Sequence, residues 1–268
     1  MSSLLARIRS ADSLFYAFGW IHLAAAFLFL CFAPWDDRIV TGVNPWIKPT
    51  KFTLSFTLLF WTLAFYLREL GRPLWTIRTI HAVVGIVSVI EIGCIAMQAA
   101  RGVPSHFNAT NPFNASVFGI MGLAILINTF AMLLLLFQML WQEGLETPPA
   151  VLMGMRLGLV VFVLGSIQGF YMVLNQAHTV GAPDGGPGLP FLNWSTTHGD
   201  LRVAHMLGLH SLQILPLAGL WIDRRFGSRP PAIRAALAGV IALVWIAAFA
   251  GAFLLAIQER PLLSLGRN

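Results

Sequence analysis

Seven long runs of apolar residues constrain the fold of this chain more than any other feature of its sequence. A helix needs about 20 mostly apolar residues to cross a hydrocarbon core of about 30 Å. The runs that reach or approach this length are 12–33, 52–68, 75–100, 114–141, 151–176, 201–222 and 232–257. We therefore predict an all-α fold, a polytopic integral membrane helix bundle with about seven transmembrane helices. The first run is too long for the apolar core of a cleavable signal peptide.

The composition agrees with burial in lipid. Charged residues make up 10% and apolar residues 57% of the chain, whereas a soluble domain carries about 25% charged residues. Such a composition excludes a cytosolic enzyme, a DNA-binding domain and a disulfide-stapled secreted module. We predict a single transmembrane domain over 1–268, surrounded by the lipid bilayer and with no nucleic-acid partner.

Lysine and arginine in the short connections predict the orientation of the helices, because they accumulate on the cytoplasmic side. Ten of them lie on the side that we assign to the cytoplasm, and seven are spread over the longer loops of the opposite side. This count includes Arg72 on the inner side and Arg267 on the outer side. The N-terminus is then cytoplasmic and the C-terminus lies outside.

Three outer loops are long and rich in turn residues: 34–51, 101–113 and 177–200. Proline and glycine in these loops indicate fixed turns rather than flexible linkers. Aromatic residues such as Trp35, Trp46 and Trp194 suggest that the loops pack at the membrane interface. We expect ordered outer loops that cover the outer end of the bundle.

Polar side chains occupy two layers of the predicted spans. Such residues usually face the bundle interior or a cavity, because exposure to lipid is costly. The layer near the middle of the membrane consists of His22, Glu91, Asn128, Gln168, His210 and Gln213. The outer layer consists of Gln98, Arg101, His106, Asn175, His178, His198, Asp200, Arg202 and His205. We expect a polar cavity open to the outer face, lined among others by Gln98, Asn128, Gln168, Gln213 and Arg202.

The leading functional hypothesis is a haem- or metal-binding protein with a redox role. His22 and His210 lie within roughly 4.5 Å of one another in depth, which suits the axial ligands of a haem b. Glu91 is the candidate catalytic residue, either as third ligand of a transition metal or as a proton acceptor. A quinone or a periplasmic redox partner would exchange the electrons. A second, outward metal site would use His205, His198, His178, His106 and Asp200. The opposing interpretation is that the histidines only hydrogen-bond neighbouring helices.

Three other functions remain open, and the sequence does not decide whether the protein is an enzyme. A proton-coupled small-solute transporter would use Glu91 beside histidine and glutamine. A membrane assembly or interaction protein would dock a partner on its outer loops. A zinc-dependent intramembrane hydrolase needs three histidine ligands, and the spacing of His205 and His210 does not suit one ion.

Two further patterns have mainly structural interpretations. Asp200 directly precedes the sixth span and is expected to cap that helix. Lys48 and Lys51 are expected to anchor the second span at the interface, and the alternative is that Lys51 binds an anionic headgroup or substrate with Arg202.

Three outer segments also carry a resemblance to a known family. NPWIKPTKF, QAARGVPSHFN and AHTVGAPDGGPGLPFLNWSTTHGDLRVAHMLGLH resemble a family of uncharacterised bacterial seven-span membrane proteins over most of the chain. The resemblance implies a location in the bacterial inner membrane, with the outer side facing the periplasm. It implies no activity.

Overall fold

A computed structural model describes residues 4–71 and 73–263, and this part of the chain is almost entirely helical. Arg72 and Arg267, which entered the predicted orientation, lie outside the described residues. The α-helices are α1 Leu4–Ala11, α2 Ser13–Phe32, α3 Ile47–Leu70, α4 Leu74–Arg101, α5 Pro112–Trp141, α6 Pro149–Asn175, α7 Leu201–Arg225 and α8 Pro231–Ile257. A 3₁₀ helix at Ala33–Trp35 and the strands β1 Thr179–Val180 and β2 Gly199–Asp200 complete the elements.

The predicted fold class is confirmed. Among the described residues, seven helices, α2 to α8, are long and apolar enough to cross a membrane. The short α1 was not predicted. It lies directly before Asp12, which caps α2 by accepting a hydrogen bond from Phe15 N at 2.9 Å.

The predicted boundary between the first outer loop and the second span is wrong. The loop was expected to run from 34 to 51, but α3 begins at Ile47. The prediction followed the apolar run, which starts at Phe52, whereas the helix starts more than a turn earlier and includes Pro49, which is tolerated because a proline in the first turn loses no hydrogen bond. Lys48 and Lys51 are therefore helical residues.

The chain divides into two compact units, Met1–Leu145 and Glu146–Asn268. The prediction of a single transmembrane domain stays a prediction. In the first unit, α2 packs on α3, α3 on α4 and α4 on α5. We name the end of this unit at which α2 and α4 end and α3 and α5 begin its loop end. The opposite end is its turn end.

Two tight contacts hold α2 against α3. A Cβ at Gly19 would lie 2.0 Å from Trp61 Nε1, so only glycine admits the indole. The same Nε1 donates to Tyr16 O at 3.3 Å. Thr57 Oγ1 adds a bond to Gly19 O at 3.3 Å. The Thr57 hydroxyl and the Trp61 indole of α3 thus donate to backbone carbonyls of α2.

The second unit consists of α6, α7 and α8, which all pack on one another. Helices α6 and α7 approach closely where glycine faces glycine. A Cβ at Gly208 would lie 2.4 Å from Gly165 Cα. Such small residues let helix backbones meet in a membrane, where packing rather than hydrophobic exclusion holds helices together.

Asp223 of α7 ties the three helices of the second unit together at the end where α6 begins. Its Oδ2 accepts hydrogen bonds from Ala150 N at 3.1 Å and Val151 N at 3.0 Å. Its Oδ1 accepts one from Arg234 Nη1 of α8 at 2.7 Å. The carboxylate therefore satisfies the first amides of α6, a role usually taken by a cap on the same helix.

Candidate functional site

The loop between α2 and α3 is ordered by side-chain bonds. Arg38 and Asp36 form an ion pair with Nη2 and Oδ2 2.6 Å apart. The Arg38 guanidinium holds the pKa of the Asp36 carboxyl well below its ordinary range. Trp46 Nε1 donates to Asp36 Oδ2 at 2.8 Å, and Asn44 Nδ2 donates to Ala33 O at 3.0 Å. The expectation of ordered loops agrees with these bonds.

The loop between α6 and α7 is held by Asp184 and Asp200. His178 Nδ1 donates to Asp184 Oδ2 at 2.5 Å, and Thr179 N donates to Oδ1 at 2.9 Å. Burial alone would raise the pKa of Asp184, but the bonds from His178 and Thr179 hold it well below its ordinary value. Asp200 caps α7 by accepting from Arg202 N at 3.0 Å, as predicted.

The residues of the predicted outward metal site have separate hydrogen-bond partners. His178 bonds Asp184, His198 Nδ1 lies 3.0 Å from Thr197 Oγ1, and Asp200 forms an ion pair with Arg202 at 2.6 Å. His106 belongs to the first unit, where its Nδ1 lies 3.1 Å from Ser105 Oγ. Within residues 4–71 and 73–263, no group of three or more His, Cys, Asp or Glu side chains is placed to hold a metal ion.

His22 of the first unit is buried in an aromatic environment. Its Nδ1 donates to Phe18 O, one turn back on α2, at 2.9 Å. The ring centroids of Phe60 and Phe56 lie 5.0 and 5.6 Å from that of His22. The bond to Phe18 directs the other ring nitrogen, Nε2, away from the α2 backbone.

His205 and His210 of the second unit make different bonds. His205 Nδ1 donates to Gly165 O of α6 at 2.9 Å, so it links two helices. His210 Nδ1 lies 3.2 Å from Gln213 Oε1 on the same helix. The bond of His205 agrees with the interpretation that the histidines hydrogen-bond neighbouring helices. His22 and His210 belong to different units, and each is described within its own.

Gln98 belongs to a hydrogen-bonded cluster at the loop end of the first unit. Its Nε2 donates to Asn114 Oδ1 at 3.1 Å, and Arg101 Nη1 donates to Gln98 Oε1 at 2.5 Å and to Asn114 Oδ1 at 2.7 Å. Asn114 Nδ2 continues to Thr110 Oγ1 at 2.9 Å. These hydrogen bonds link Gln98 of α4 to the start of α5.

Glu91 differs from every other acidic side chain in the described part of the chain. It lies on α4, about 15 Å along the axis from the helix end at Arg101, and is 1% exposed. Neither carboxyl oxygen has a hydrogen-bond partner among the described residues. An ionised carboxylate without hydrogen bonds costs several kcal/mol in such surroundings, so the protonated form suits this position.

Two buried amides are only partly satisfied. Gln168 Nε2 donates to Leu201 O at 3.2 Å, whereas its Oε1 is unbonded within the described chain. Asn128 Oδ1 of α5 is also unbonded there, in a side chain that is 6% exposed. Gln213 and Arg202, the other expected cavity residues, bond His210 and Asp200.

Two features of the first unit were missed by the sequence analysis. At the turn end, His81 Nε2 donates to Asp12 Oδ2 at 2.6 Å. Burial raises the pKa of Asp12, but the bonds from His81 and Phe15 N outweigh it and hold that pKa below its ordinary value. Asp12 caps α2 and His81 lies two turns into α4, and because they are 69 positions apart no local pattern pairs them.

The second missed feature is a group at the loop end around Phe52. Lys48 Nζ lies 6.0 Å from the Phe52 ring centroid, and the His106 ring lies 5.8 Å from it. Phe52 also packs on the buried cluster of Ile95, Val117 and Met121, beside Cys94. A signal was present in the sequence, since Lys48 and Phe52 are one helical turn apart.

No family model, curated protein or solved structure matches this chain.

Proposed function

We propose that the protein is a proton-coupled membrane carrier of a small solute, with Glu91 as its proton-binding group. The observation that carries this proposal is the buried Glu91 carboxyl, whose two oxygens have no hydrogen-bond partner in the described chain. Ionisable groups inside membrane spans are rare because they are costly, and they mark ion and substrate pathways. A group that is stable there only with a proton can couple proton loading to a change of conformation.

The proposed setting is the bacterial inner membrane, with the N-terminus cytoplasmic and the C-terminus periplasmic. The excess of Lys and Arg on one side supports this orientation, and the family resemblance supports the location. The loop end of the first unit would then face the periplasm.

Chemical labelling tests the proton site directly. Dicyclohexylcarbodiimide reacts with protonated carboxyls in apolar surroundings, and peptide mass spectrometry locates the adduct. We expect labelling at Glu91 that fades as the pH rises, and none at this position in Glu91→Gln. The matched control is Glu143→Gln, because Glu143 is exposed and its replacement should leave the labelling unchanged. A folded protein that is not labelled at Glu91 at any pH would overturn the proposal.

Transport tests the carrier itself. Proteoliposomes on a solid-supported membrane would be exposed to pH steps in the presence of small carboxylates, amines, sugars and amino acids in turn. We expect a solute-dependent charge movement or uptake that follows the proton gradient and is lost in Glu91→Gln. Solute movement that is indifferent to the gradient would contradict proton coupling.

A haem- or metal-binding redox protein is the second candidate function, and one observation favours its haem form. His22 Nδ1 donates to a backbone carbonyl, which is the arrangement that orients metal-ligating imidazoles. His22 would then ligate a haem b, which would supply one-electron chemistry with a quinone or a periplasmic partner. An absorption spectrum before and after dithionite reduction tests this. We expect a Soret band that shifts on reduction and is lost in His22→Ala, whereas a colourless protein from haem-supplied cells excludes it.

A further inference from the structure

The loop end of the first unit carries an open cavity that combines aromatic rings with an ion pair. The cavity has a volume of about 500 Å³ and is lined by Phe32, Trp35, Asp36, Arg38 and Trp46. Small-molecule sites have volumes of about 300–1,000 Å³. The ring centroids of Phe32 and Trp46 are 4.9 Å apart with their planes at 60°, so these rings meet at an angle rather than stack. Trp35 is 90% exposed, so its indole is open to a ligand.

The Asp36 carboxylate is already saturated with hydrogen bonds. Its Oδ1 accepts from Arg38 N at 3.2 Å and Nε at 2.8 Å, and its Oδ2 accepts from Arg38 Nη2 at 2.6 Å and Trp46 Nε1 at 2.8 Å. An ionised carboxylate offers about four lone-pair sites. A primary ammonium group entering the cavity would therefore leave water without finding an acceptor on Asp36. A quaternary ammonium has no N–H to satisfy, and the faces of aromatic rings attract it.

The Arg38 guanidinium, in contrast, keeps donors for a ligand. Within the described chain, its bonds use three of its five N–H groups: Nε and Nη2 donate to Asp36, and Nη1 donates to Ala100 O at 3.1 Å. One N–H each on Nη1 and Nη2 remains, in a side chain that is 49% exposed. Guanidinium groups bind carboxylates and phosphates through such pairs of N–H groups. The cavity thus offers a place for an anionic group next to its aromatic side.

We propose that this cavity binds a zwitterion whose trimethylammonium group lies against the three aromatic side chains and whose carboxylate or phosphate accepts from Arg38. The pair of Asp36 and Arg38 is neutral as a whole, and a zwitterion leaves it neutral. Glycine betaine is a free molecule of this chemistry, and phosphocholine is its form in a lipid headgroup. Both reach the site, because α2 crosses the apolar layer and ends beside the cavity. The inference does not rest on the proposed carrier function, since it does not involve Glu91.

Two matched pairs of small molecules test the two halves of the site. The whole protein is purified in dodecyl maltoside, a detergent without a choline group, and studied by isothermal titration calorimetry. Glycine betaine differs from glycine only in the methylation of its nitrogen, and we expect it to bind at least about fivefold more tightly. Phosphocholine adds a phosphate to choline and should bind more tightly than choline by a similar factor. Glycine that binds as tightly as glycine betaine would overturn the proposal.

Variants at Trp35 separate a binding role from that of an interface anchor, which is common for tryptophan. Trp35→Leu should weaken the binding of glycine betaine at least about fivefold, and Trp35→Phe, which keeps an aromatic face, should restore most of it. Trp75→Leu is the matched control, because Trp75 is exposed too but lies at the turn end. Thermal unfolding verifies that each variant is folded. Unchanged binding in folded Trp35→Leu would make this residue an anchor only and the inference wrong.

Native mass spectrometry distinguishes the two sources of the ligand. The protein is mixed with equal amounts of phosphatidylcholine and phosphatidylglycerol. A preference for phosphatidylcholine that is lost in Trp35→Leu identifies a lipid headgroup as the ligand. Binding of glycine betaine without any lipid preference identifies a free zwitterion. If neither small zwitterion binds and neither lipid is preferred, the inference is wrong, while the proton site at Glu91 is unaffected.

Discussion

The two units differ at their most buried acidic side chain: Asp200 of the second unit accepts hydrogen bonds from Ser195 N and Arg202, whereas Glu91 of the first unit accepts none within the described chain. In the second unit, polar side chains bond the backbone of a neighbouring helix: His205 bonds Gly165 O, Ser211 bonds Gly158 O and Trp245 bonds Leu207 O. In the first unit, Thr57 and Trp61 bond backbone carbonyls of α2 in the same way, whereas Glu91 and Asn128 keep oxygens that are unbonded within the described chain. The comparison teaches that a polar residue in a span is not by itself a functional signal. Those that hold helices together find carbonyl partners, and those that remain unsatisfied are the candidates for chemistry.

The largest expected loss of stability comes from a substitution at the close contact between α6 and α7 in the second unit. Gly208→Leu forces a side chain into the position where even a Cβ would lie 2.4 Å from Gly165 Cα. Backbone atoms cannot move aside as a side chain can, so we expect a loss of more than about 3 kcal/mol or no folded protein. Gly239→Leu is the control, because nothing lies within 4 Å of a Cβ there. Thermal unfolding in detergent measures both, and similar losses would refute the packing argument.

A smaller effect is expected from the paired charges at the turn end of the first unit. The folded pKa of Asp12 lies below its ordinary value of 3.8, so ionisation of Asp12 stabilises the fold above about pH 4, and this contribution is lost as the pH falls through the folded pKa. Asp12→Asn should cost about 1 kcal/mol near neutral pH. The difference from wild type in unfolding temperature should shrink on acidification, and Asp37→Asn, at an exposed position, controls for the change in net charge.

The third prediction concerns a satisfied hydroxyl in the second unit. Ser211 Oγ lies 2.7 Å from Gly158 O and 2.6 Å from Gly208 O. Interhelical hydrogen bonds in membranes contribute about 0.6 kcal/mol on average, so Ser211→Ala should lower the stability by about 1 kcal/mol or less. Ser55→Ala, at an exposed position, should change it by less, and equal losses would mean that the bond contributes nothing.

The smallest change in stability is expected at Glu91, despite its burial. Glu91→Gln keeps the shape of the side chain and removes no hydrogen bond of the described chain. We expect the unfolding temperature to stay the same at acidic pH and to rise above that of wild type at alkaline pH, because the variant has no charge to bury. A marked loss of stability at all pH values would show that Glu91 is a structural residue.

Much of the fold could be predicted from the sequence, because length and apolarity are local properties of each span. The cap at Asp200 was predictable for the same reason, since the capped amide is two residues away. Pairs such as Asp12 with His81 and Asp223 with Arg234 were not predictable. They depend on the rotation of each helix about its axis, which single-residue patterns do not determine.

The candidate site was predictable only in part. The position of Glu91 in the middle of a span indicated its burial, but the absence of hydrogen-bond partners in the described chain depends on which side chains the neighbouring helices present. The start of α3 was missed, so Lys48 was interpreted as a loop-flanking anchor. Because α3 begins at Ile47, Lys48 and Phe52 are one helical turn apart, and the Lys48 ammonium lies 6.0 Å from the centre of the Phe52 ring.

The Asp223 carboxylate has a consequence for the order of synthesis. Helix α6 emerges from the ribosome before α7. The amides of Ala150 and Val151 therefore have no Asp223 carboxylate to bond until α7 has been translated. Until α7 has crossed the membrane and returned Asp223 to that end, these amides depend on water and lipid headgroups. The start of α6 is therefore completed after insertion rather than during it. A chain that stops after α6 would leave this helix start exposed, where quality-control proteases can recognise an unfinished protein.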